Sequence, residues 1–206
     1  MIAILTRTLL LLCLLVTVSC QPSLPTNIEP DIAYPVPEFT LIERSGKTVT
    51  KADLLGKVWV ASFVFTRCSG PCPAVTATVA RLQSELTNEP NVRFVTFTID
   101  PDRDTPDELK KYADRFRADP VRWLFLTGKE AIVHELATSG FKLLAMKKPG
   151  GAAGDEFDHS SRLAVIDKAG IIRGYYDGMP TTRDGAAEAF EGNLKKLRQH
   201  VATLLK

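Results

Sequence analysis

Cysteine is scarce in this chain, charge of one sign is not in excess, and no apolar run is long enough for a membrane-spanning helix. Four cysteines, Cys13, Cys20, Cys68 and Cys72, are too few and too unevenly spread for a small secreted domain stapled by disulfides. With 26 basic against 24 acidic residues the net charge is +2, and the charges are mixed along the chain. That balance offers no polycationic face, so nucleic acid is excluded as a partner. Internal repeats are also lacking, and one core is the default for 206 residues of which 45% are apolar.

The apolar run from Leu9 to Val18, preceded by Arg7, falls well short of the ~20 residues of a spanning helix and reads as an export signal over residues 1–20. Thr17-Val18-Ser19-Cys20 resembles the lipobox at which bacterial lipoproteins are cleaved and acylated on cysteine, with Thr17 in place of the usual aliphatic residue. Lipidation of Cys20 would leave the folded part exported, extracytoplasmic and membrane-anchored, on the periplasmic face of a bacterial envelope. An ordinary signal peptide or short anchor that happens to contain a cysteine is the alternative, and either way the folded part is exported. Pro22, Pro25, Pro30, Pro35 and Pro37 then keep residues 21–37 extended, as a tether or as a plain unstructured stub. The globular domain is expected over 38–206.

Within that domain, Phe39–Ile42 turns at Ser45-Gly46, and Val58–Phe65 has the unbroken apolar character of a buried central strand. Pro73 suits a first helical position, and Val75, Val79, Leu82 and Leu86 recur at helical spacing up to Thr87. A strand over Val92–Ile99 follows, then a helix capped by Thr105 and running to about Phe116. This alternation predicts an α/β fold with right-handed crossovers and a largely parallel sheet. A short strand over Trp123–Gly128 precedes a helix from about Lys129 to Thr138. Beyond the flexible Pro149–Gly154 stretch, Arg162–Asp167 and Ile171–Tyr176 form a hairpin about Lys168-Ala169-Gly170. A final helix runs from about Gly185 to Leu205, with Phe190, Leu194, Leu197, Val201 and Leu204 on one face.

Chemistry concentrates at Cys68-Ser69-Gly70-Pro71-Cys72, where the buried strand gives way to a helix. Helix-start N–H groups near the sulfurs favour thiolate, so both cysteines are expected to be activated. Thiolates attack disulfides and also bind metal, which leaves a redox pair and a metal site open. A permanent local disulfide is the third reading, and closing so small a loop stabilises little. Of the three histidines, His134 and His200 read as surface residues. His159 opens the strand Arg162–Asp167, which should lie beside the strand leading to Cys68, so its imidazole can reach the sulfurs. Asp100, at the end of the neighbouring strand, either supports the site from behind the ligands or caps the turn before Pro101.

Three segments together resemble the Sco/SenC family of copper proteins that assist cytochrome c oxidase assembly. Phe65-Thr66-Arg67-Cys68-Ser69-Gly70-Pro71-Cys72-Pro73 resembles its Cys-x-x-x-Cys-Pro motif, Asp100–Pro106 its second signature and Trp123–Gly128 its third. Asp158-His159-Ser160 matches the family's distal histidine, and the similarity spans roughly Pro37 to the C-terminus. Ser69-Gly70-Pro71 departs from it, since a bulkier or acidic residue is more usual between the cysteines. The resemblance implies a thioredoxin-like fold, a central mixed sheet flanked by helices, with Cys68, Cys72 and His159 as ligands of one copper ion. Donor chemistry agrees: two soft thiolates suit Cu(I), and thiolate with imidazole can hold Cu(II) with a further donor. Zinc usually takes four protein ligands in a closed structural site, whereas three leave a position open for passing an ion onward.

The function implied is a copper metallochaperone, not a catalyst, that serves the binuclear copper centre on the copper-bearing subunit of cytochrome c oxidase or another copper or thiol protein. The alternative is a thiol–disulfide oxidoreductase in which Cys68 and Cys72 reduce a partner and His159 is incidental. A peroxidase has no second sequence feature to support it.

Overall fold

In the computed structural model, residues 32–181 and 184–206 are described. Residues 1–31, which include the expected signal segment, Cys20 and the first part of the tether, lie outside them. Along the chain run β1 (Tyr34–Pro35), β2 (Thr40–Glu43), β3 (Thr48–Thr50), β4 (Val58–Val64), α1 (Cys72–Glu85), β5 (Val92–Thr98), α2 (Pro106–Arg115) and β6 (Trp123–Thr127). These are followed by α3 (Glu130–Glu135), β7 (Ala145–Lys147), β8 (Phe157–His159), β9 (Arg162–Ile166), β10 (Ile171–Asp177) and α4 (Ala186–Leu205).

Every residue of β4 is buried, as expected for a strand covered on both faces. It lies in the middle of an eight-stranded sheet ordered β1-β10-β9-β4-β5-β6-β2-β3. The crossovers through α1 and α2 make β4, β5 and β6 parallel. On either side of those three, the sheet is antiparallel: β9 against β4 and β2 against β6, each brought in by its own hairpin. The largely parallel sheet read from the strand–helix alternation is therefore a mixed one, because alternation governs only the central crossovers and hairpins add the flanks. Phe63 and Phe97 stack at 5.0 Å across β4 and β5, and Phe141 meets Phe63 edge-on at 5.1 Å. Burying each such ring contributes about 1.5–3 kcal/mol.

The folded part begins earlier than Glu38. Tyr34 and Pro35 pair with Ile172 and Ile171, the Val36 N–H donates to Gly170 O at 2.9 Å, and Val36 is buried. Pro35 is tolerated because this is an edge strand. The helix expected to reach Thr138 ends at Glu135 and continues as a π-helical turn over Leu136–Gly140, closed by the Phe141 N–H to Leu136 O at 2.8 Å. Gly140 there packs so closely on Pro37 that a Cβ would come within 2.9 Å of its ring. Among the described residues no helix is long and apolar enough to cross a membrane.

Candidate metal centre

Chain leaving β4 is held before it reaches the cysteines. The buried Asp104 carboxylate accepts from the Thr66 N–H at 3.0 Å and also from the hydroxyls of Thr66 and Thr98. The backbone then turns through Cys68, whose N–H donates to Phe65 O at 3.2 Å, and enters α1 with Pro71 as cap and Cys72 as its first residue. Behind Cys72, its carbonyl accepts from Thr76 Oγ1, and Tyr112 Oη lies 2.8 Å from the same hydroxyl.

The two cysteines are not equivalent. The Cys72 thiol beside it, together with the N–H groups of Cys72 and Gly70 and the imidazole of His159, holds the Cys68 pKa at about 5 against the opposing effect of burial. Cys72 goes the other way, raised first by burial and then by the neighbouring Cys68. It is 0% exposed against 9% for Cys68, and at that depth desolvation outweighs the helix start. Activation of both cysteines, expected from their position, is thus confined to Cys68.

His159 arrives on an element the sequence reading did not separate. It ends β8, which pairs with β7 as a small two-stranded sheet of its own, Ala145 opposite His159 and Lys147 opposite Phe157. Ser160 and Ser161 lead from it into β9, which lies against β4 as expected. Phe157 packs on Phe65 at 5.2 Å, and the His159 ring meets Phe65 edge-on at 5.8 Å, so the hairpin is seated on the end of β4. His159 Nε2 comes to 3.2 Å from Cys72 Sγ, and Nδ1 to 3.2 Å from Ser160 O. Nε2 is the nitrogen turned to the sulfurs and so the one placed to ligate a metal, while Ser160 O can hold the hydrogen on Nδ1 when it does. The ligand atoms of Cys68, Cys72 and His159 all lie within 4.8 Å of one another, the one such group of His, Cys and acidic side chains among the described residues.

Asp100 is buried, and its side-chain partners are cationic. Arg103 donates to it at 3.2 Å, and the Arg67 guanidinium lies 4.0 Å away. Its place is beside Arg67, the neighbour of Cys68, rather than against a sulfur or the imidazole. The other two histidines are not plain surface residues. His134 is half-buried, bonded to Ile99 O at 2.8 Å and edge-on to Phe157, so it props the hairpin from below. Half-buried His200 pairs with Tyr176 Oη at 2.7 Å, and burial lowers its pKa. Asp104, Thr66 and Glu156 were not singled out from the sequence. For Asp104 a signal existed, since Thr66 and Asp104 stand in the two segments that resemble family signatures.

The sequence model of the SCO1/SenC family matches residues 30–193. The chain belongs to that family. A SCO1 protein homolog of Bacillus subtilis is 35% identical over 158 residues, 76% of this chain and 80% of its own length. The solved structure of BsSco, described as a member of the Sco family of cytochrome c oxidase assembly proteins with a disulfide switch, is 33% identical. It has a TM-score of 0.66 and covers 80% of this chain and 96% of its own. Arabidopsis thaliana ScoI with copper bound is 25% identical, with a TM-score of 0.62, over 79% of this chain and 98% of its own. The thioredoxin-like fold implied by the sequence is thus the fold of this Sco protein.

Proposed function

We propose that this Sco protein carries one copper ion between Cys68, Cys72 and His159 and delivers it to the binuclear copper centre of cytochrome c oxidase during assembly. The carrying observation is the convergence of two sulfurs and a correctly presented imidazole within 4.8 Å. Copper bound by a relative of the same fold supports the choice of metal, and the assembly role described for BsSco supports the recipient. Cys68 supplies a thiolate ready at neutral pH, while Cys72 must release its proton as the ion binds, which makes uptake pH-dependent. Three ligands satisfy Cu(I) and leave an open position through which a recipient's donors can enter before these leave.

The asymmetry of the cysteines also favours a second activity, thiol–disulfide exchange. The Cys68 thiolate attacks a partner's disulfide, forms a mixed disulfide and releases one partner thiolate. Cys72, deprotonated, then attacks Cys68 sulfur, the second partner thiolate departs, and the Cys68–Cys72 disulfide holds the two electrons' worth of oxidation. The disulfide switch described for BsSco supports this reading.

Acylation at Cys20 would hold the domain on the outer face of a bacterial cytoplasmic membrane, where such a recipient is reached; the lipobox-like Thr17–Cys20 supports it.

Titration of the reduced protein with Cu(I) and Cu(II) tests the carrier. Losing a group that merely supports a ligand costs about 10–100-fold in affinity, so His159→Ala should weaken binding at least about tenfold while sparing disulfide exchange. Unchanged copper affinity would remove His159 from the site. Cys72→Ser should abolish both activities.

A further inference from the structure

The hairpin β7–β8 brings His159 to the site, yet two strands of three residues each are marginal by themselves. Besides the Phe157–Phe65 contact, one carboxylate ties the hairpin to the cysteine loop. Glu156 Oε1 accepts from the Arg67 guanidinium at 2.9 Å, and Glu156 Oε2 accepts from the Gly154 N–H at 2.8 Å. Gly154 O in turn accepts from both the N–H and the hydroxyl of Ser69, at 3.0 and 3.2 Å. Arg67 and Ser69 flank Cys68 on either side, whereas Glu156 stands three residues before His159. Gly154 has φ +86°, and a Cβ there would come within 2.8 Å of Ser69 Oγ, so the loop is shaped to this contact. The Glu156 side chain is only 12% exposed and Arg103 adds a second cation at 3.7 Å, so a largely buried carboxylate meets two guanidinium groups that are themselves nearly half exposed.

We propose that Glu156 and Arg67 form a clasp that holds the His159 hairpin against the cysteine loop and sets how fast copper leaves. This rests on the carrier reading of the site. Neither is among the three candidate ligand residues. Both act by position: for His159 to withdraw while the two sulfurs keep the metal, the hairpin must lift, and lifting it parts Glu156 from Arg67 and Gly154 from Ser69. The aromatic contact opposes lifting as well, but only the ionic part is screened by salt, since Arg67 is 47% exposed.

Two measurements on the full chain test the clasp, with Glu156→Gln as the main variant and Arg67→Lys as a second that keeps the charge without the planar fork. In the metal-free protein, hydrogen exchange at the Ser69 amide, whose bond to Gly154 O joins the cysteine loop to the hairpin, should quicken by up to about fivefold in Glu156→Gln and by less in Arg67→Lys. In copper-loaded protein, transfer to a chromophoric Cu(I) chelator should quicken by a similar factor, with an unaltered thiolate–copper absorption band. Added salt should speed release from the wild type and have little effect on Glu156→Gln. A merely structural role would not change that salt dependence. Exchange that stays at the wild-type rate, or release that does not follow it, overturns the clasp. Failure of the carrier reading shows separately, as copper affinity indifferent to His159→Ala, and does not alter the exchange result in metal-free protein.

Discussion

His159 Nε2 lies 3.2 Å from Cys72 Sγ, although the two residues are 87 positions apart in the chain. Two independent routes create that contact. Strand β4 and helix α1 fix the sulfurs, and a small separate hairpin delivers the imidazole. The site is therefore built from two separately placed parts, and its chemistry depends on which sulfur carries charge.

With the Cys68 pKa held at about 5 and that of Cys72 raised, alkylation of the reduced, metal-free protein should be selective. Only thiolate reacts, so the rate at Cys68 rises with pH through about 5 and levels off above it. Cys72 should stay nearly unreactive at neutral pH until the protein unfolds. Mass spectrometry after a timed iodoacetamide pulse at pH 4 to 8 measures both. Equal labelling of the two cysteines would contradict the assigned asymmetry.

Asp104 anchors the loop that leads to Cys68 through two hydroxyls and one backbone N–H. Asp104→Ala leaves these buried donors unpaired and should lower stability by about 2–4 kcal/mol in urea unfolding. Burial raises the Asp104 pKa, so the folded state binds the proton more tightly than the unfolded state does. Wild-type stability then falls relative to the variant as pH rises from the ordinary carboxylate range through the raised value. The difference between the two proteins should be largest in acid, and a gap that widens with rising pH would contradict this.

Local pattern made much of this architecture legible. The all-apolar run of β4, the Thr105 cap with Pro106 behind it, and the spacing of Leu194, Leu197 and Val201 each specify their element without help from the rest of the chain. Cys68 and Cys72 were legible for the same reason, since their spacing at a strand–helix junction is local. What escaped depends on partners distant in sequence. β7 and β8 have three residues each, too few for periodicity to show, so the sequence pattern alone runs His159 into the start of β9. The depth that keeps Cys72 protonated comes from packing, as do the pairing of Glu156 with Arg67 and the contacts of His134 with Ile99 and Phe157. Tyr34–Val36 looked like tether because proline density suggests an unpaired chain, and only the free edge of β10 gives it a place.

Acylation at Cys20 predicts a clear difference in fractionation. Expressed in a bacterium with a lipoprotein-processing pathway, the parent chain should partition with membranes and label with palmitate. Cys20→Ala should do neither and should appear in a soluble or unprocessed form. Identical partitioning of the two would count against the lipid anchor.

The central claim, one copper held by Cys68, Cys72 and His159, is tested most directly by copper X-ray absorption on the reduced, copper-loaded full chain. The account predicts one copper per protein, with two sulfur neighbours and one imidazole, and with the imidazole signal lost in His159→Ala. A copper shell of oxygen and nitrogen alone, or an imidazole signal that survives His159→Ala, would contradict it.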